Sequence, residues 1–508
     1  MAAGKRWLTI CRTYHAYCDE PHPSSGNRWH PTRLLDVGSE GSTSWKLCVV
    51  AEDGISPPLA NYLTLSYRWG PNPRARLLSS NIASLRLGSP VADLPVLFRD
   101  VVALAQHFSI RYIWIDALCI MQDSQEDWEA EASTMHRVYA NSSCNISASA
   151  SGSPEESLYL AGDRDFSMIQ PGFVELTLFS TKPEPYYVVD ASYWDRQIFD
   201  GPLHNRGWVF QERYLSPRVL YFAKNQLLWE CLTDHQCEVF RCGIPYHQSD
   251  KSRDALYAYF LGENISDTEK MSLKGFRLWT SLIKKYSRCE LTNPSDKLFA
   301  MAGIAKLFQN ITRDEYVAGL WKSRLLPMME WWVQDPRPRQ SLEYRAPSWS
   351  WASVDGPIEL NEPDSGAKFL VDLIKVEVTT RTPDPMSAII KGSITLEGRL
   401  ITGVCQHIDV AYINFLTEAG RLTTWNNLDT SDISLKEGSN VFLVPFGLKS
   451  RSGSGHFSCL LLEELPRAPG RQNQYRRLGH FFFDDTLNDE LNIERFCHSG
   501  EVRVFIII

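Results

Sequence analysis

No apolar run in this sequence approaches the roughly 18 residues that a membrane-spanning helix needs. Met1 to Trp7 also lacks the apolar core of a secretory signal, so a soluble, cytoplasmic chain is expected. Positive charge is not in excess. The 52 Lys and Arg residues stand against 60 Asp and Glu, for a net charge of -8, which argues against a nucleic-acid binder relying on bulk electrostatics. There is no glycine-rich phosphate loop, no HExxH pair and no GxSxG elbow, so the common nucleotide, zinc-protease and serine-hydrolase readings lack support. Twelve cysteines are present but scattered. The nearest to a cluster, Cys231, Cys237 and Cys242, has no paired CxxC spacing, so no metal is expected and the thiols read as reduced and buried.

What is there is an ordinary globular composition, 44% apolar and 22% charged over 508 residues, enough for two or three domains. The most informative stretch is Ile110 to Ala140. Tyr112 to Ile115 runs without polar interruption, the pattern of a short strand buried on both faces, and Asp116 ends it. At the carboxyl end of a central strand, Asp116, Cys119, Gln122 and Asp123 would line a ligand crevice. Ser124 and Asp127 have capping-box spacing, which predicts a helix from about Gln125. Trp128, Ala132, Met135, Val138 and Tyr139 form its apolar stripe, and Glu131 falls inside that stripe. A carboxylate on a packing face needs a partner or a ligand. Glu131 is either salt-bridged to an arginine such as Arg68 or Arg206, or catalytic.

Around this stretch the chain reads as alternating strands and helices. Tyr62 to Ser66 is a strand opening into the turn Tyr67, Arg68, Trp69, Gly70. Asp93 is placed as the cap of a helix with Pro95 in its first turn, and Asn145 to Ala150 is β-prone. Strand, helix, strand, helix, strand is the order of a parallel α/β layer. Arg206 to Arg213 predicts a short helix or turn, followed by a hairpin of Arg218 to Phe222 and Gln226 to Cys231. Arg206 and Arg213 are either an anion clamp or salt-bridge partners locking the hairpin in place. Cys119 is either a small core thiol or a nucleophile served by His136 or His204. Further helices are expected at Lys274 to Tyr286, Asp296 to Phe308 and Asp314 to Trp332, then a packed connector holding Trp349 and Trp351. Strands are expected at Phe369 to Thr379, Ala388 to Leu400, Asn440 to Phe446, Cys459 to Glu464 and Val502 to Ile508. The proposed divisions are an entry segment at 1–58, an α/β domain at 59–240, a helical extension and connector at 241–355, and a β-rich domain at 356–508.

Several segments resemble one family. Leu65-Ser-Tyr-Arg-Trp-Gly70, Tyr112-Ile-Trp-Ile-Asp-Ala-Leu-Cys-Ile-Met-Gln-Asp123, Asp127-Trp with Glu131-Ala, and Arg206-Gly-Trp-Val-Phe-Gln-Glu-Arg213 are similar, in order, to the fungal heterokaryon-incompatibility (HET) domain. The resemblance implies a fungal source and a part in non-self recognition and programmed cell death. It also implies a parallel-sheet fold distantly similar to TIR domains, some of which cleave NAD at the nicotinamide bond. By that resemblance, Trp128 and Glu131 correspond to the TIR tryptophan and catalytic glutamate. Ser66, Arg68, Trp69, Asp116, Cys119, Asp123, Trp128, Arg206 and Arg213 would then bind substrate. NAD would be a substrate and no cofactor is required. Trp69 or Trp128 would stack a flat ring or simply pack the core, and Arg68 would hold a phosphate. Two other readings remain: a non-enzymatic scaffold that self-associates through this domain, and an enzyme of specialised metabolism acting on a small natural product.

Overall fold

A computed structural model describes residues 1–19, 29–55, 61–71, 73–159, 170–177, 179, 182–240, 244, 252–262, 270–340, 343–361, 368–433, 435–451, 454–466, 473–483, 488 and 493–508. Cys242 lies outside these residues. The chain forms two units, Met1–Gly262 with Ala300–Leu307, and Glu263–Phe299 with Phe308–Ile508.

The first unit opens with helices α1 (Ala2–Tyr14) and α2 (Ala16–Asp19), then strands β1 (Arg33–Asp36), β2 (Ser44–Val49) and β3 (Tyr62–Ser66). Helix α3 (Ile82–Leu87), β4 (Ser89–Pro90), α4 (Val96–His107), β5 (Tyr112–Trp114), α5 (Asp116–Cys119), α6 (Gln125–Ala140) and β6 (Cys144–Ser147) follow. After the hairpin β7 (Gly172–Leu176) and β8 (Glu184–Val188) come α7 (Tyr193–Phe199), α8 (Gly207–Leu215), β9 (Arg218–Phe222), β10 (Leu227–Cys231), β11 (His235–Cys237) and α9 (Ser252–Gly262). The large sheet has the order β11-β10-β9-β6-β3-β5-β1-β2-β4. Its centre, β9-β6-β3-β5, is parallel, and antiparallel strands flank it on both sides. Strands β3, β6 and β9 are buried at every residue, as expected of strands covered on both faces.

Helix α4 buries Leu97, Phe98, Val101, Val102, Leu104 and Ala105, the apolar face of a helical period. It starts two residues later than Asp93 suggested, because Val91–Asp93 forms a separate 3-10 turn and Pro95 is the N-cap. The Ser124 cap of α6 forms as expected, its side chain accepting from the Asp127 amide at 3.2 Å. The Asp127 carboxylate does not complete the reciprocal half of the capping box. It accepts instead from Arg33 and from the Met121 amide.

In the second unit, helices span Leu273–Tyr286 and, in part, Phe299–Thr312. Asp314 to Trp332 is not one continuous helix; its α-helical part is the single turn Leu325–Met328. Arg313 and Ala318 take positive φ angles of 51° and 52°, and Gly319 takes 92°, so the chain turns into the small hairpin Tyr316–Val317 and Leu320–Trp321. Trp349 and Trp351 are fully buried. A second nine-stranded sheet makes up the β-rich region. Its long strand Ile389–Ile408 pairs with Glu501–Ile507 through its first half and with Asn440–Arg451 through its second. Because Asn440–Arg451 also leads through Ser454–Glu464 and Gln474–Phe482 back to Glu501–Ile507, the ladder closes into a ring. Ile401, Phe415, Leu443, Phe457, Leu461 and Phe481 share one buried core in this region.

Candidate active site at the carboxyl ends of the parallel strands

The chain leaves β3 in one direction to form β5 and returns on the other side to form β6, so the order of connections reverses between β3 and β6. Ligand crevices in open α/β sheets open at such a switch point, beyond the carboxyl ends of the strands. Ser66, the last residue of β3, stands there. Its hydroxyl makes a short hydrogen bond to the Glu212 carboxyl on α8, and Asn145 of β6 donates to it at 2.9 Å. Asn145 is held in turn by the Thr64 hydroxyl at 3.1 Å.

Two acids share this space. Burial raises the Glu212 carboxyl to about 7, and the neighbouring Asp116 charge pushes the same way, while the Ser66 hydroxyl, Arg206 and Tyr139 oppose. Asp116 is also raised by burial, although the Trp69 indole, Arg206 and the Tyr67 hydroxyl favour its charged form. Trp69 Nε1 donates to Asp116 Oδ2 at 2.7 Å, and the Ala117 amide donates to Oδ1 at 2.7 Å. Arg206, just before α8, donates to the Tyr67 carbonyl at 2.5 Å. Two carboxyl groups and one guanidinium therefore surround the Ser66 to Trp69 turn.

A cavity of about 450 Å³ opens at the carboxyl ends of β6 and β9, with walls distinct from the Ser66, Asp116, Arg206 and Glu212 cluster. Ser149, Arg196, Gln197, Asp200, Lys224 and Asn225 are among its walls. Ser149 Oγ sits 3.1 Å from His204 Nε2 and 3.0 Å from the Ser147 hydroxyl. Burial, reinforced by Arg213, lowers His204 to about 3, so the ring is neutral at physiological pH.

The structure separates the residues singled out from sequence. Ser66, Trp69, Asp116 and Arg206 converge on the cluster just described. Arg68 is exposed beside it. Glu131 belongs to another group: its carboxylate lies 3.7 Å from Arg33 Nη1, and Arg33 also grips Asp127 at 2.5 Å and the Cys119 carbonyl at 2.9 Å. Glu131 is nonetheless raised, burial outweighing the Thr32 hydroxyl and the Arg33 charge. Cys119 is fully buried and its thiol is raised, chiefly by burial. Asp123 is exposed and accepts from the Ser79 amide and hydroxyl, at 3.0 and 2.6 Å, which ties down the loop before α3. Trp128 meets Trp208 edge to face, with ring centres 6.4 Å apart. Arg213 lies in the core, bound twice to Glu230 at 2.9 and 3.0 Å and to the Tyr221 hydroxyl at 2.9 Å.

Sequence reasoning passed over Glu212, Asn145 and Tyr139 as site residues, and Arg33 altogether. Glu212 had a readable signal, since it sits within the same Arg206 to Arg213 segment whose arginines drew attention. Among the described residues, one group of side chains is arranged to take a metal, and it involves Cys11, His15, Cys18 and Cys231.

Residues 62–212 match the family model of the heterokaryon incompatibility protein (HET). The chain carries a HET domain. A function of the heterokaryon-incompatibility type follows from it. The match begins at the first residue of β3 and ends at Glu212, so it takes in Ser66, Asp116, Asn145, Arg206 and Glu212 together. It leaves out α1, β1 and the β9 to β11 strands that complete the HET sheet. Comparison with curated proteins and with solved structures returns no match. No helix among the described residues is long and apolar enough to cross a membrane.

Proposed function

We propose that this HET domain acts in fungal non-self recognition and programmed cell death by cleaving NAD at the nicotinamide–ribose bond, with Glu212 as the carboxylate at the reacting ribose. The observation that carries the reading is the buried Glu212, hydrogen-bonded to Ser66 at the switch point and close enough to Asp116 to feel its charge. Breaking the glycosidic bond sends its electron pair to the departing nicotinamide, which leaves neutral, and positive charge develops on the ribose. A fixed carboxylate in a water-poor site stabilises that charge. Water then adds to the ribose carbon and releases a proton, giving ADP-ribose. A cationic nicotinamide is already a good leaving group, so no strong acid is required.

The surroundings suit these roles. Arg206 offers a guanidinium for the diphosphate. The cavity of about 450 Å³ at the carboxyl ends of β6 and β9, on the same edge of the sheet, falls within the range of small-ligand pockets. On this reading Glu131, with Arg33 and Asp127, holds the start of α6 against β1 rather than touching substrate. The test is to incubate the full chain with NAD at high protein concentration and separate nicotinamide from NAD by chromatography. Nicotinamide release by the parent chain, lost in a folded Ser66→Ala or Glu212→Gln variant, is the expected result. Intact NAD under conditions where the chain self-associates would overturn the reading in favour of a non-enzymatic scaffold.

A further inference from the structure

Three side chains close in sequence and a fourth more than 200 residues away meet at the end of the N-terminal helix. Helix α1 buries Gly4, Trp7, Leu8 and Cys11, positions i, i+3, i+4 and i+7 of one face, against the sheet. Cys11 falls in its last turn, and His15, one turn on, caps the helix by donating its amide to the Cys11 carbonyl at 3.0 Å. The chain then bends into α2, where Cys18 donates its amide to the His15 carbonyl at 3.0 Å. The bend points Cys18 back toward Cys11. The fourth group comes from the other end of the HET sheet region: Cys231 is the last residue of β10 and faces Arg218 across the hairpin.

The donor atoms of Cys11, His15, Cys18 and Cys231 all lie within 4.8 Å of one another. Cys231 Sγ is 3.4 Å from His15 Nδ1. A tetrahedral zinc with Zn–S of about 2.3 Å and Zn–N of about 2.0–2.1 Å has S···S edges of about 3.8 Å and S···N edges of about 3.6 Å. Small rotamer adjustments bring these four groups onto such a tetrahedron. The three cysteines are buried while the histidine is partly exposed, and an odd number of thiols does not pair off into disulfides.

The surroundings are those of a metal–thiolate centre. Arg218 Nε donates to Cys11 Sγ at 3.1 Å, and the Asp234 amide donates to Cys231 Sγ at 3.3 Å. The Thr233 hydroxyl lies 3.6 Å from Cys18 Sγ. Three thiolates and a neutral imidazole around a divalent ion leave one net negative charge, which the buried Arg218 guanidinium balances. All four ligand positions are filled by protein, which is the pattern of a structural site rather than a catalytic one.

We propose that Cys11, His15, Cys18 and Cys231 bind a structural zinc ion that fastens α1 and α2 to the β9–β10 hairpin. Binding releases the thiol protons and couples metal affinity to folding of the unit. All four ligands lie outside residues 62–212, so the metal joins elements that precede the matched segment to a strand that follows it. The spacing Cys-x3-His-x2-Cys, with the fourth ligand more than 200 residues away, is why no paired CxxC signal announces it.

The test is made on the full chain, purified reduced and without added chelator. Elemental analysis is expected to find a single zinc per chain. Replacing zinc with cobalt is expected to give thiolate-to-cobalt charge-transfer bands and the intense visible bands of a tetrahedral site. Cys231→Ser and Cys18→Ser are expected to lose the metal, and His15→Gln to keep thiolate charge transfer with altered visible bands. A folded parent chain that carries no zinc and gives no tetrahedral cobalt spectrum overturns the proposal, as does a disulfide among the three cysteines under reducing purification. The parent spectrum decides the matter even where a serine variant does not fold.

Discussion

Replacing Glu212 by glutamine should stabilise the protein at alkaline pH while removing its chemistry. The carboxyl is raised from 4.5 to about 7 by burial, so the folded state holds its proton more tightly than the unfolded state does. Between those two values the native state binds more protons, and stability therefore falls as pH rises. The contribution is fully present below about pH 4.5 and is lost as pH climbs through 7. At 1.36 kcal/mol per unit the loss from this one group is about 3 kcal/mol. Glutamine is an uncharged near-isostere that keeps an acceptor for Ser66, so Glu212→Gln should match the parent at acid pH and exceed it by up to about 3 kcal/mol at pH 8.5. For a unit of this size that is a rise in Tm of roughly 6–12 °C. Thermal melts of both proteins across pH 5 to 8.5, followed by circular dichroism, read the difference directly. Parallel pH profiles, or a variant less stable at every pH, would mean that Glu212 is a fully paired structural carboxylate and would refute the reasoning. A residue that lowers stability at working pH is the pattern of a functional group held under strain.

Three further outcomes follow from the packing. Arg213→Met strips Glu230 of its bidentate partner in a buried setting shared with Arg253, and should cost about 3–5 kcal/mol in chemical denaturation of the HET-bearing unit. Gly303→Ala places a methyl 2.4 Å from His136 Cβ and 2.8 Å from Leu215 Cδ1, so it should lower stability by about 1–3 kcal/mol, read in the same denaturation assay. In the β-rich unit, Arg477 binds Asp429 at 2.9 Å and the carbonyls of Met329 and Trp331, and Arg477→Met should cost about 3–5 kcal/mol, read as early loss of amide-exchange protection in that unit alone.

The parts of the fold legible in the sequence were those set by local periodicity. The runs at Tyr62 to Ser66 and Arg218 to Cys231, the stripe of α4 and the Ser124 cap of α6 all formed near their expected positions. Helix α1 was overlooked although Trp7, Leu8 and Cys11 share a helical face, because its polar residues hide a short stripe. The Asp314 to Trp332 helix failed for a backbone reason: Gly319 and its neighbour Ala318 take left-handed angles that start a hairpin, and only the glycine marks that in sequence. At the candidate site, Ser66, Trp69, Asp116 and Arg206 could be placed from strand ends and motif position. Which acid joins them could not be read from a stripe, because Glu131 meets Arg33 and Glu212 meets Ser66 only through packing of residues that are distant in the chain. The Cys11, His15, Cys18 and Cys231 group has the same origin.

The most direct measurement compares Glu212→Gln with Glu131→Gln, both folded by circular dichroism, for nicotinamide release from NAD at pH 8. Loss of release in Glu212→Gln with release retained in Glu131→Gln is the expected result, since Glu212 stands at the switch point and Glu131 is clamped by Arg33. Release that survives in Glu212→Gln and disappears in Glu131→Gln would contradict it and move the chemistry to the Arg33 cluster.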